Sequence, residues 1–167
     1  PASLGKKYIF SDNTWLCTYS EVRNTLGANC MVRRANNQLR WVDSAGVVYT
    51  EPCVLEYEIS RPRDLVGTEN LVLPQGYVTV YTQLNSKTRK IKGNQRFLFG
   101  PSENRICLKV FGDGVRNYLN EKTTDDSSGT LLQLSLGGNF VNADTDDLVN
   151  GIADRYSNYD LITSAST

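Results

Sequence analysis

The chain has 167 residues, and its 18 lysines and arginines balance its 18 aspartates and glutamates, so it carries no net charge. Bulk electrostatic attraction to nucleic acid or acidic membrane is thereby excluded, and any charged surface has to be local. The length suits one domain, residues 1–167, and no apolar run approaches the roughly 18 residues a membrane-spanning helix needs. Histidine is absent, which removes Ser-His and Cys-His nucleophile pairs and the commonest metal ligand. With no P-loop, nucleophile elbow or Cys-x-x-Cys spacing either, the chain reads as a protein that is not an enzyme and needs no cofactor or metal.

In chain order, residues 6–10 and 15–19 are aromatic-rich and flank Ser11-Asp12-Asn13-Thr14, a run of turn formers that predicts an opening β-hairpin. Short strands follow over 30–35 and 38–42, a turn over 43–46, and a strand at 47–49. Cys53, Leu55, Tyr57 and Ile59 alternate with more polar neighbours, predicting a half-buried strand. Residues 61–76 are mostly loop. Residues 77–84 form a β-branched and aromatic strand, 85–95 a basic loop carrying Lys87, Arg89, Lys90 and Lys92, and 96–99 another strand. Ile106, Leu108 and Val110 alternate with Arg105, Cys107 and Lys109, after which Gly112-Asp113-Gly114 predicts a turn into 115–119. Residues 121–129 are a polar, acidic loop.

The last third is the most patterned. Leu132, Leu134 and Leu136 alternate with Gln133 and Ser135, the period of a strand with one apolar face. Past Gly137-Gly138 the period changes. Leu148, Ile152, Tyr156 and Tyr159 recur at spacings of four, four and three, with Val149 widening the stripe, which predicts an amphipathic helix. Asp144 or Thr145 would cap it, and Asp146 and Asp147 would sit at the positive end of its dipole. The acidic pairs Asp125-Asp126 and Asp146-Asp147 are therefore read as structural.

Four cysteines, Cys17, Cys30, Cys53 and Cys107, permit two disulfides in three pairings. Each lies in or beside an apolar strand pattern, where a free thiol behaves as a small hydrophobe. We read them as buried thiols and leave the pairing open. If the strands around 77–83, 105–109 and 133–135 share a sheet whose other face is covered by the C-terminal helix, their polar sides present Tyr77, Thr79, Tyr81, Gln83, Arg105, Lys109, Gln133 and Ser135 together. Rings for stacking, hydrogen-bonding side chains and phosphate-binding cations are what single-stranded or looped RNA requires.

The succession Leu-Gln-Leu-Ser-Leu136, then Asn142-Ala-Asp-Thr-Asp-Asp-Leu148-Val149, resembles the last strand and first helix of the coat proteins of single-stranded RNA bacteriophages. Arg116-Asn117-Tyr118-Leu119-Asn120 is similar to an Arg-x-Tyr-Leu-Asn stretch at the start of that strand in some members, although loop 121–129 intervenes here. The resemblance implies an α+β fold: an N-terminal β-hairpin, an antiparallel sheet, and C-terminal helices packed on the sheet of a dimer partner, with a second helix around 158–164. It implies a structural coat protein that dimerises, assembles into an icosahedral shell and binds a genomic RNA hairpin on its inner sheet face, with Tyr118 and Asn120 added to the RNA contacts. Leu148, Val149, Ile152 and Tyr156 would form the homodimer interface. The expected setting is the virion, after synthesis in the host cytoplasm. The competing reading is a monomeric β-rich binding module of lectin or protease-inhibitor type.

Overall fold

The computed structural model describes residues 4–23, 27–57, 78–118 and 130–157. Lys7–Phe10 (β1) and Asn13–Arg23 (β2) pair as a hairpin in which Phe10 stands opposite Asn13. Ser11 and Asp12 form its two-residue turn with φ of 50° and 58°, the left-handed pair whose twist matches that of the flanking strands. Gly27–Arg34 (β3) adds to β2 and completes a three-stranded antiparallel sheet.

The larger sheet is built from Asn37–Val42 (β4), Val48–Tyr57 (β5), Val78–Leu84 (β6), Arg96–Phe99 (β7), Ile106–Tyr118 (β8) and Thr130–Asn139 (β9). All its pairings are antiparallel, in the order β4-β5-β6-β9-β8-β7. Six alternating strands leave β4 and β7 antiparallel to each other at the two edges. Those edges meet: the Trp41 ring on β4 stands edge-on to Phe97 on β7, with centroids 6.3 Å apart. The sheet thus curls into a barrel closed by side chains, while no backbone ladder joins β4 to β7.

Its interior takes the apolar parity of each strand, with Leu39 and Trp41, Cys53 and Leu55, Val78 and Val80, Phe97 and Phe99, Leu108 and Val110, and Leu132, Leu134 and Leu136 all buried together. Strand β8 continues through Gly112-Asp113-Gly114, where a turn is predicted. Residues 111–114 stand opposite Ser135 alone, between the pairs Val110↔Leu136 and Val115↔Leu134, and the extra length is taken up as a bulge.

The α+β expectation is overturned. Among the described residues there is no α-helix, only a single 3-10 turn, Thr88–Lys90, so the fold is all-β. The helix predicted from 144 onward is replaced over 142–157 by consecutive turns and one bridge, Asp147 to Ile152. Its acids explain why. Asp146 accepts from the amides of Asn142 (2.8 Å) and Asp154 (2.9 Å), and Asp147 from the amide of Asn150 (2.9 Å), competing with the i to i−4 ladder. Gly151 at φ 69° and Asp154 at φ 56° are left-handed and cannot continue a helix. The second helix, around 158–164, lies outside the described residues.

Candidate functional site

Strands β6 and β9 bring five of the predicted RNA-contact residues onto one outer face, with Thr79 opposite Ser135, Tyr81 opposite Gln133, and Gln83 next along. The three-stranded sheet covers much of that face. Tyr81 packs with Leu4, Leu16, Val54 and Leu131, Thr79 is buried, and an ion pair between Arg33 of β3 and Glu56 of β5 ties the layers. Gln83, Gln133 and Ser135 are half-buried. Lys109 lies apart from them, opposite Arg96 and Gly137, and Arg105 precedes β8. Tyr118 ends β8 with its side chain outside the description, and Tyr77 and Asn120 lie outside the described residues. The predicted stacking platform is therefore a layer interface over much of its extent.

The apolar stripe divides. Leu148 and Ala153 pack on Leu98 and Cys107 of the barrel's outer surface, and Ile152 is buried, whereas Val149 and Tyr156 are exposed. Residues 142–157 thus form a strap laid over β7 and β8, and arginines fasten it. Arg96 grips Asp146 in two-pronged fashion at 2.9 and 2.8 Å, donates to Asp154 at 2.5 Å, and reaches the Phe140 carbonyl at 2.7 Å. Arg40 on β4 donates to the Asn150 carbonyl (2.7 Å). Arg105 donates to the carbonyls of Leu148 (2.9 Å), Val149 (3.0 Å) and Gly100. The strap is therefore bonded to both edges of the seam.

Burial raises the Asp146 carboxyl, but the Arg96 hydrogen bond and the two amides outweigh it and hold the group below the usual carboxylate range. Asp147 is likewise lowered against its burial, by the Asn150 amide and side chain and by Arg155 at 2.8 Å. Arg96 occupies the place among these acids that a cation would take, and no cluster suited to a metal ion occurs among the described residues. Beside the seam, Tyr49 donates to Asp43 at 2.8 Å and accepts from Lys90 at 2.6 Å, which lowers the Asp43 carboxyl and raises the Lys90 ammonium. All four cysteines are free. Cys17, Cys53 and Cys107 are buried and Cys30 is exposed, and burial pushes the Cys53 thiol up to about 12.

A cleft opens at each end of the seam. One, about 550 Å³, lies between Trp41, Lys90, Gln95, Arg96 and Asp154. The other, about 390 Å³, is lined by the hairpin turn (Asp12, Asn13, Thr14), by Asn36, Asn37, Gln38 and Arg40, and by Gly100, Arg105 and Gly151. Chain neighbours of this second lining carry some of the most exposed large apolar side chains, with Ile9 82%, Val149 77% and Ile106 47% exposed. Phe140, 89% exposed, follows Asn139, the partner of Cys107, and so lies beside Ile106. Exposed apolar side chains therefore adjoin a polar, cationic cleft in chain and register. Arg40 went unnoticed in the sequence, yet Leu39 and Trp41 flank it at the apolar parity of β4, and that alternation marks Gln38 and Arg40 as outward-facing.

Among the described residues no helix is long and apolar enough to cross a membrane. No curated protein and no solved structure matches the chain. Residues 37–106, from the start of β4 to the first residue of β8, are similar to the YomX C-terminal domain, the family whose model matches that stretch.

Proposed function

We propose that the chain is a non-catalytic structural subunit that associates with copies of itself, as a virion coat or shell component does, through the exposed apolar side chains on the segments adjoining the hairpin-end cleft. The observation that carries this reading is the exposure of Ile9, Ile106, Phe140 and Val149, three of them more than three-quarters exposed, on segments that adjoin the second cleft or its strands in chain or register. Large apolar side chains grouped on a surface mark an interaction site, because covering them removes apolar area from water at about 25 cal/mol per Å². Within this reading, RNA contacts fall to the exposed cations of the 85–95 loop, Lys87, Arg89 and Lys92. A monomeric binding module is the second reading, favoured by the arginine-lined cleft.

Sedimentation velocity over a hundredfold range of protein concentration separates the two. Wild type should associate with concentration, and Phe140→Asp with Val149→Asp should remain monomeric with unchanged thermal stability, since both side chains are solvent-exposed. A wild-type monomer at every concentration removes the self-assembly reading.

A further inference from the structure

The 390 Å³ cleft holds two guanidinium groups, Arg40 and Arg105, in one polar pocket. Other arginines of the chain answer to acids: Arg96 to Asp146 and Asp154, Arg33 to Glu56, and Arg155 to Asp147. Arg40 and Arg105 make no ion pair among the described residues. Neutral oxygens position them instead, Gln38 Oε1 (3.0 Å) and the Asn150 carbonyl for Arg40, and three carbonyls for Arg105. Of five N–H donors on each guanidinium, these contacts use two on Arg40 and three on Arg105, leaving charge and donors unspent.

Packing fixes the second group further. A Cβ on Gly151 would come within 2.9 Å of the Arg105 guanidinium carbon, so the backbone there lies directly against that group. The rest of the lining supplies neutral donors such as Asn13, Thr14 and Asn37, and its one carboxylate is Asp12. Glu103, close enough to feel Arg105, is turned to Ser102 at 2.9 Å. In a chain of zero net charge, this is a preorganised local excess of positive charge.

We propose that the cleft is a binding site for a small oxyanion, a carboxylate or phosphate group held between Arg40 and Arg105. Planar guanidiniums match both oxyanions by paired, charge-assisted hydrogen bonds, and the neutral amides complete the coordination. The site stands independently of self-association, because its two cations lie within one chain.

The test is calorimetric titration of the full chain with inorganic phosphate and, separately, with citrate, at matched ionic strength. Saturable one-to-one binding of either anion is expected, and the anion that binds identifies the group accepted. Arg40→Gln should weaken it at least tenfold, and Asn37→Asp, which leaves both clamps in place and adds a negative charge to the lining, should do the same. Lys6→Gln, which removes an exposed cation outside the cleft lining, should leave it unchanged. No saturable heat with either anion, or undiminished binding in Asn37→Asp together with a folded Arg40→Gln, would overturn the site. Sedimentation of the same samples reads self-association separately.

Discussion

Asp146 is fully buried as a side chain and its Arg96 partner nearly so, and together they join the strap to β7. Removing one partner of such a pair leaves the other unsatisfied, at a cost of about 3 kcal/mol or more, although Asp154 retains part of the Arg96 contact here. Asp146→Asn should therefore lower stability at neutral pH by roughly 2–3 kcal/mol, read by chemical denaturation. The sign with pH follows from the depressed carboxyl. Its contribution is complete above the unfolded value, about 4, and is lost as pH falls through the lower folded value. Wild type and variant should converge in acid, and a gap persisting undiminished to pH 2 would assign the loss to packing instead. Local pattern could not reveal this role, because Arg96 lies 50 residues from Asp146 and no periodicity links them.

Strands were legible where apolar and polar side chains alternate, whatever covers the polar face. Leu132, Leu134 and Leu136 alternate with half-buried Gln133 and Ser135, and β9 runs through them at that parity. The 142–157 stretch misled because its 3.6-residue spacing is real, yet carboxylates and left-handed residues bend it into turns that bury Ile152 and half-bury Leu148 anyway. The layering was also hidden: an outer face with Thr79 and Tyr81 reads the same whether water or a second sheet covers it. Gly5 shows how closely that second sheet is seated, since with φ at 77° a Cβ there would come within 2.1 Å of the Thr130 carbonyl oxygen at the start of β9. Gly5→Ala should cost at least 2 kcal/mol, from the left-handed backbone and the clash together, and loosen the hairpin sheet from Tyr81. A variant as stable as wild type would mean that this contact does not hold the layers.

Across the molecule, protection should follow the one missing ladder. Strands β6 and β9 are paired on both sides, whereas β4 and β7 each have one bonded neighbour and meet through Trp41 and Phe97. Hydrogen exchange should be slowest at Val80 and Leu134 and faster by at least tenfold in β7, because opening there breaks one ladder rather than two. Uniform protection around the barrel would show that the seam is as strong as the ladders.

The strap also sets a timetable. Arg40 meets Asn150 across 110 residues, and Arg96 meets Asp146 across 50. At translation rates of about 5–20 residues per second, β4 is made on the order of ten seconds before its fastener. Until then each growing chain offers two unfastened edges to its neighbours on the same messenger, and an edge is a template for pairing. Slower elongation before residue 142 prolongs that interval, so yield of correctly closed barrel depends on how fast the message is read as well as on what it encodes.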